Sequence, residues 1–304
     1  MQIFNELVPS KEYSAAALGF FDGIHMGHRA VIEKAVNAKK DGLTPVVLTF
    51  SKSPKQVISG EIFETLETFE HKAKHLEKAG VEKLYVADFL KVKDMSPRDF
   101  VLKILIERLN VKQVFCGFNY HFGKGGKGTG ETLVSVCKEF GISANVVPPV
   151  IIDDEIVSST RIRNLLKEGN IKQANKLLGY DFGITTDIIH GNHIGKGLGF
   201  PTINQPVKEG IIVPKFGVYA SVVTIGNTKY CGVTNVGVKP TIGEYRPLYE
   251  TWMPKYSGED IYGKIATVEL KEFIRPETKF ENLEELKQTV LKNGEQALEI
   301  IGEV

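Results

Sequence analysis

The first half of the chain alternates short, uniformly apolar runs with longer segments whose apolar residues recur every three or four positions. Such runs are typical of strands buried on both faces, and such spacing is typical of amphipathic helices. The predicted strands are 15–21, 45–50, 83–87, 113–116 and 145–150, and the predicted helices are 30–40, 71–78, 97–109 and about 133–140. This alternation predicts an α/β, Rossmann-like domain with a doubly wound parallel sheet, in which ligands bind at the carboxyl ends of the strands.

The second half has a different pattern. Two short helices over 158–179 close the first domain, and from Phe182 to about Phe273 short runs rich in Gly, Thr, Val and Ile alternate with turn signals. This pattern predicts a small antiparallel β-barrel, with a sandwich as the alternative. A C-terminal helix over 283–301 is predicted from a capping box formed by Asn282 and Glu285. Its expected packing stripe is Leu283, Leu286, Val290, Ala297 and Ile301. The predicted domains are therefore 1–181 and 182–304.

Composition narrows the class of protein. The 304 residues suffice for two domains, and a net charge of +1 argues against a broad nucleic-acid-binding surface. Three scattered cysteines favour reduced structural thiols over disulfides or a zinc site. The sequence shows neither an apolar stretch of about 20 residues nor a signal peptide. We therefore expect a cytoplasmic protein without membrane or nucleic-acid partners, of undetermined oligomeric state.

The run GFFDGIHMGH, residues 19–28, directly follows the apolar stretch 15–18 with which the first predicted strand begins. Gly19 and Gly23 permit a tight turn around Asp22, and the start of the next helix favours an anion. His25 and His28 are three residues apart and can therefore share one helix face. The run predicts a triphosphate site, and the alternative is a glycine turn with two surface histidines.

Two further segments have features of anion-binding sites. Residues 117–130 form a glycine-rich segment with two lysines, Lys124 and Lys127, but lack the Gly-Lys-Ser/Thr ending of a P-loop. Residues 158–163, SSTRIR, place hydroxyls and arginines at a helix start. Taken singly, each segment could be a solvated loop or an ordinary helix cap. A doubly wound sheet would bring both to the edge that holds residues 19–28.

Together these motifs resemble the nucleotidylyltransferase family, and in particular the prokaryotic bifunctional riboflavin kinase/FAD synthetases. The first half carries the resemblance through His25–His28 and Ser158–Arg163. The second half carries it through GKGLGFPTIN, GVYA, NVGVKPTIG and YET, at residues 195–204, 217–220, 235–243 and 249–251. These segments occur in the family's order along nearly the whole chain.

For residues 1–181 the resemblance implies an FMN adenylyltransferase. It assigns catalytic roles to His25, His28 and Arg163, and nucleotide or FMN binding to Gly19, Phe20, Asp22, Gly23, Asn119, Ser159 and Thr160. In the implied reaction the FMN phosphate attacks the α-phosphorus of ATP, giving FAD and pyrophosphate. Catalysis is then mostly alignment and charge neutralisation, assisted by Mg²⁺.

For residues 182–304 the resemblance implies a riboflavin kinase, with riboflavin and ATP as substrates. Thr202 and Asn204 would hold nucleotide phosphates and Mg²⁺. Glu250 would accept the proton of the riboflavin 5′-hydroxyl as that hydroxyl attacks the γ-phosphate. A glycine-rich loop with one cation would cover the phosphates through Gly195, Lys196 and Gly197.

The chain departs from the family pattern at several positions. Ser53 stands where the family has a histidine, Phe20 where it often has asparagine, and Lys239 where it usually has arginine. The residues after Thr251 also differ from the common pattern. Two alternatives therefore remain at this stage. One is a one-activity paralogue with one step weakened or lost, adenylylation before phosphorylation, and the other is a flavin- or nucleotide-binding regulator.

Overall fold

A computed structural model describes residues 1–190, 199–238, 246–256 and 261–302. The chain divides into two compact units, Met1–Ser159 and Thr160–Val304. The functional boundary at 181/182 stays a prediction.

The first unit is built on a six-stranded parallel sheet. Its strands are β1 (Gln2–Phe4), β2 (Ser14–Leu18), β3 (Thr44–Phe50), β4 (Lys83–Ala87), β5 (Val111–Gly117) and β8 (Ser143–Val147). They lie in the order β1-β4-β3-β2-β5-β8. Two small hairpins accompany the sheet, β6 (His121–Phe122) with β7 (Gly128–Thr129), and β9 (Ile151–Ile152) with β10 (Glu155–Ile156). Every residue of β2 is buried, as its uniform apolar run predicts.

Helices and turns connect these strands. The helices are α1 (Met26–Asn37), α2 (Pro54–Ser59), α3 (Phe69–Lys78), α4 (Phe89–Val92), α5 (Pro97–Asp99) and α6 (Gly130–Glu139). Ser96 caps α5 through its side chain, and the predicted helix 97–109 continues from α5 as a π-helical segment, Phe100–Ile106. Short 3₁₀ turns are Ala38–Asp41 and Lys124–Gly126. Separate apolar clusters cover the sheet, one with Leu105 and Leu133, the other with Ile32 and Leu76. The predicted doubly wound domain is confirmed, although α2 and α4 were not predicted.

The second unit contains α7 (Ser159–Glu168) apart from its first residue, α8 (Ile171–Leu178) and a six-stranded antiparallel sheet. The strands are β11 (Gly183–Asp187), β12 (Thr202–Pro206), β13 (Gly217–Ile225), β14 (Thr228–Val238), β15 (Pro247–Trp252) and β16 (Ile265–Arg275). Their order is β11-β16-β13-β14-β15-β12. The amide of Ile189, just after β11, donates a hydrogen bond of 2.8 Å to the carbonyl of Asn204 in β12. The two edge strands of the sheet therefore meet. The predicted small barrel is confirmed.

A C-terminal helix, α9 (Leu283–Ile301), packs on this barrel. The Asn282 side chain accepts the Glu285 amide at 2.9 Å, as predicted, but the Glu285 carboxylate accepts the amide of Glu281 instead of that of Asn282. Ala297 is fully buried, whereas Leu283 is 63% exposed. Its place in the predicted stripe was therefore wrong, because residues 283–285 at the start of α9 are exposed.

The three cysteines are buried and free, as expected. Burial raises the pKa of the Cys116 thiol to about 11 and that of Cys137 to about 12. These thiols are therefore packing groups rather than nucleophiles.

Candidate active sites

The first site lies at the carboxyl edge of the parallel sheet, where β2 and β5 are neighbours. The connection after β2 leads to β3 on one side, and the chain after β5 leads to β8 on the other. Such a switch of direction opens a crevice that binds ligands in doubly wound sheets. Residues 19–28 follow β2, and exposed Asn119 follows β5 in a turn closed by the Tyr120 amide on the Gly117 carbonyl. The sheet thus brings these two predicted segments to one edge.

The turn after β2 has an uncommon backbone. Phe21 and Ile24 have φ of 54° and 35°, and Gly23 has φ of 84°. Left-handed φ at bulky residues is disfavoured and persists where surrounding contacts enforce it. One such contact is made by Asp22, whose Oδ1 accepts the amide of Leu66 at 2.8 Å. This carboxylate therefore holds the turn in place from within the protein.

His25 and His28 form one compact pair. His25 caps α1, with its Nδ1 accepting the His28 amide at 3.2 Å. The two rings stack with centroids 3.6 Å apart. Gly27 makes this fold-back possible, because a Cβ there would lie 3.2 Å from the His25 ring. The glycine between the histidines thus gives the His25 ring room to pack closely, and both imidazoles lie at the start of α1.

His28 is held as a neutral ring. Burial, together with the charges of His25 and Lys72, lowers the pKa of His28 well below its ordinary value. Its Nδ1 is buried and, among the residues described, has no hydrogen-bond partner. The edge of Phe21 packs on the same ring, with centroids 5.3 Å apart. An imidazole fixed in this way is oriented before any ligand arrives.

The SSTRIR segment reaches this turn through its second serine. Ser159 Oγ donates to the carbonyl of Asp22 at 3.0 Å. Thr160 and Arg163 belong to the second compact unit, so their roles at the nucleotide stay predictions. The glycine-rich segment folds into the β6–β7 hairpin, on which Lys124 and Lys127 are exposed.

A polar cavity of about 520 Å³ lies beside the ends of β3 and β4. Its walls include Phe50, Ser51, Lys52, Val57 and Asp88. Ser53 is buried at the N-cap position of α2, where its side chain makes no capping hydrogen bond, and Pro54 follows at the first helical position. The departure predicted at Ser53 thus places a small buried residue next to the cavity.

The second site lies on the barrel, around Glu250. On β15, Glu250 is directly opposite Asn204 of β12 on one side and Asn235 of β14 on the other. Residues directly opposite each other in a sheet share a face, so two amides flank the carboxylate. Thr202 Oγ1 donates to Glu250 Oε1 at 3.0 Å. The barrel therefore brings together the three described residues predicted for this site.

Glu250 and Thr202 face a cavity of about 340 Å³ between the barrel and α9. Aromatic and aliphatic groups line most of it, and a few polar groups stand at defined places, as is typical of sites for planar organic ligands. The lining includes Phe200, Val218, Val233, Asn235, Trp252, Arg275, Glu277, Phe280, Leu286, Val290 and Asn293.

Several of these cavity residues were not predicted from the sequence. Asn235 donates to the Glu277 carboxylate at 3.3 Å, and Arg275 Nε donates to Asn293 at 3.0 Å. Asn235 and Glu250 belong to different sequence motifs, so only the register of β14 against β15 shows that they are neighbours. The predicted phosphate-covering residues Gly195, Lys196 and Gly197, and the departure at Lys239, lie outside the described residues.

Comparison with known proteins agrees with both halves. The FAD synthetase family model matches residues 8–161, and the riboflavin kinase family model matches residues 178–301. The bifunctional riboflavin kinase/FMN adenylyltransferase of Bacillus subtilis is 35% identical, over 94% of this chain and 92% of that protein. The enzyme of the same name from Listeria monocytogenes is 36% identical, over 89% of this chain and 87% of that protein.

The chain belongs to the bifunctional riboflavin kinase/FMN adenylyltransferase family. A crystal structure described as a macrolide-efflux protein from Streptococcus pneumoniae shares the fold, with a TM-score of 0.87, 31% identity and 97% of both chains covered. That description applies to the pneumococcal protein. In the described part of this family member, the helices are too short or too polar to cross a membrane.

Proposed function

We propose that this family member phosphorylates riboflavin to FMN and then adenylylates FMN to FAD. The observation that supports this best is that one chain has two distinct constellations. The stacked histidine pair lies at the switch point of a parallel sheet, and the hydrogen-bonded carboxylate Glu250 faces an apolar cavity. The proposed adenylyltransferase and kinase domains are residues 1–181 and 182–304.

In adenylyl transfer an oxygen of the FMN phosphate forms a bond to the α-phosphorus of ATP. The bond from that phosphorus to the bridging oxygen of the β-phosphate breaks, and pyrophosphate leaves. The attacking group is already an anion, so no protein base has to remove a proton. The proposed role of His25 and His28 is to donate hydrogen bonds to phosphate oxygens as their charge changes, with Arg163 adding positive charge.

The remaining groups align the substrates of adenylyl transfer. The Gly19–Gly23 turn, including Phe20 and Asp22, shapes the edge that receives ATP. Ser159, Thr160 and Asn119 supply further polar contacts to phosphates in this proposal. The cavity at the ends of β3 and β4 is on the same edge, and its volume of about 520 Å³ suits the flavin ring of FMN.

In the kinase step Glu250 accepts the proton of the riboflavin 5′-hydroxyl. The hydroxyl oxygen forms a bond to the γ-phosphorus of ATP, the bond from that phosphorus to the β,γ-bridging oxygen breaks, and ADP leaves. Thr202 holds one oxygen of Glu250 at 3.0 Å and so fixes the carboxylate, while the apolar cavity is proposed to hold the flavin ring.

The residues present fit Mg²⁺ at the kinase site. Asn204 is 3% exposed, and its Oδ1 has no hydrogen-bond partner within the described ranges, so a neutral oxygen donor is available there. Thr202 lies two residues away on the same face of β12. Mg²⁺ prefers oxygen ligands and commonly binds through one or two protein groups plus substrate phosphates. When bound there by Asn204 and Thr202, it would neutralise phosphate charge.

A cytoplasmic location is also proposed, because three buried free thiols suit a reducing compartment.

Two assays on the purified chain test the function. Riboflavin with ATP and Mg²⁺ should yield FMN, and FMN with ATP and Mg²⁺ should yield FAD and pyrophosphate, each measured by chromatography. FMN formation without FAD formation would establish the paralogue with lost adenylylation. Flavin binding without either product would establish the regulator.

A further inference from the structure

A cluster of buried charges lies at the Gly19–His28 turn. Its members are Asp22 of the turn itself and two residues with no role in the chemistry above, Glu67 and Lys72, and the three are 4%, 7% and 4% exposed. Burying ionised groups is unfavourable unless each is paired or hydrogen-bonded, and such groups are weak contributors to stability. The cluster therefore points to a role other than holding the fold together.

Lys72 lies on the buried face of α3 and contacts the turn directly. Its Nζ donates to the carbonyl of Phe20 at 2.7 Å and lies 3.9 Å from the centroid of the Phe20 ring. The same carbonyl accepts Thr49 Oγ1 at 2.9 Å. An ammonium carries three donors, and in the described part of the chain this one makes the single hydrogen bond to Phe20. Burial lowers the pKa of Lys72 to about 8, so its charge is maintained at a free-energy cost.

Glu67 holds the other side of the same turn. Its Oε1 accepts the amide of Gly23 at 3.0 Å, and its Oε2 lies 2.8 Å from His75 Nδ1. The carboxylate is thus anchored on α3 by His75 while it fixes an amide only two residues before His25. A shift of that amide would move the start of α1 and the stacked imidazoles.

We propose that Lys72 and Glu67 are positioning residues for adenylyl transfer. By holding the Phe20 carbonyl and the Gly23 amide, they fix the turn so that His25 and His28 face the ATP phosphates. The two contacts bracket Phe21, whose φ of 54° needs such support. The inference rests on the adenylylation proposed above. Misplacement of catalytic groups by about 1 Å can lower a rate by about 100-fold.

The test replaces Lys72 by an apolar group of similar length. Lys72→Met is compared with Lys74→Met, which changes an exposed lysine on the same helix. We expect Lys72→Met to lower kcat/KM for ATP in FAD formation by roughly 10- to 100-fold. Riboflavin phosphorylation by the same molecules should be unchanged. The melting temperature should fall, because Glu67 and Asp22 stay buried without the charge of Lys72, so both assays are run well below it. Lys74→Met should match the wild type throughout.

A second pair of variants covers the case in which Lys72→Met does not fold. Glu67→Gln keeps an oxygen acceptor for the Gly23 amide, and Glu67→Ala removes it. We expect the Gln variant to retain most adenylylation and the Ala variant to lose it, with a raised KM for ATP.

Two results would overturn the positioning role. One is FAD formation within about twofold of wild type in both Lys72→Met and Glu67→Ala. The other is a loss of FAD formation that disappears when the assay temperature is lowered further below the melting temperature of the variant, which indicates a structural role alone. A wild-type protein that forms no FAD would instead overturn the proposed adenylylation itself.

Discussion

The two proposed sites are built in opposite ways. At the sheet edge, the histidine pair and the backbone that carries it are fixed by buried contacts to α3, to Thr49 and to each other. On the barrel, Glu250 and Thr202 instead line a cavity of about 340 Å³ with largely apolar walls. The difference follows the chemistry. An anionic phosphate needs alignment, whereas a hydroxyl needs a base that faces the substrate.

The largest expected effect is a loss of kinase activity on replacing the proposed base, Glu250, and it distinguishes the two sites. Glu250→Gln keeps an acceptor for Thr202 but cannot take a proton from riboflavin. We expect FMN formation from riboflavin to fall by about 10³-fold. FAD formation from supplied FMN should stay at the wild-type rate in the same preparation. Equal losses in both assays would show that the sites are not separate.

A smaller effect is expected from the histidine pair. His28→Ala removes the proposed donor to the phosphates and the stacking partner of His25. Adenylylation should fall by about 10²-fold while phosphorylation is unchanged. His121→Ala, at an exposed histidine of the β6–β7 hairpin, is the matched control. A full rate in His28→Ala would contradict the phosphate-binding role.

Metal dependence is expected to distinguish the two sites further. Asn204→Ala removes the buried Oδ1 proposed to contact Mg²⁺, and Asn204→Asp retains an oxygen there. The Ala variant should need about tenfold more Mg²⁺ for phosphorylation, with no change in the Mg²⁺ titration of adenylylation. Identical Mg²⁺ titrations for wild type and Asn204→Ala would remove Asn204 from the metal site.

The smallest effect is on stability and tests the charges under the turn. Lys72 faces Glu67, Asp22 and His28, and burial lowers its pKa from 10.5 to about 8. Between these values the unfolded chain binds a proton that the folded chain has released, so this group's contribution to stability rises with pH. From about pH 8 to about pH 9 the wild type should gain about 1 kcal/mol relative to Lys72→Met. Chemical denaturation at both pH values measures the difference. A difference in unfolding free energy that stays constant between these pH values would mean that folding does not lower the pKa of Lys72.

Much of this organisation could be predicted from the sequence. The uniform apolar runs correctly placed β3, β4 and the start of β2, because strands buried on both faces need apolar residues throughout. The predicted end of the first strand at Phe21 was wrong, because β2 ends at Leu18 and Phe21 lies in the turn with φ of 54°. The histidine spacing correctly predicted that the two rings lie together, although His25 is the extended N-cap residue and lies outside the helix. Lys72 could not be found in this way, because a lysine in a helix pattern usually indicates a solvated position. Only the packing of α3 against the turn reveals it.

The barrel site shows a second limit of sequence reasoning. Glu250, Asn204 and Asn235 come from three strands, and their common face depends on register, which hydrophobic pattern alone does not determine. Leu283 shows a third limit of sequence reasoning. Its spacing fits the apolar stripe of α9, but this residue at the start of the helix is exposed and does not pack on the barrel.

Complementation between two variants tests the central claim, separate phosphorylation and adenylylation sites in one chain, most directly. His28→Ala should convert riboflavin to FMN with little FAD, and Glu250→Gln should leave riboflavin unchanged. Mixed with riboflavin, ATP and Mg²⁺, the two together should form FAD, because FMN released by the first is the substrate of the second. FAD formation at the wild-type rate by either variant alone, or no FAD from the mixture, would contradict the account.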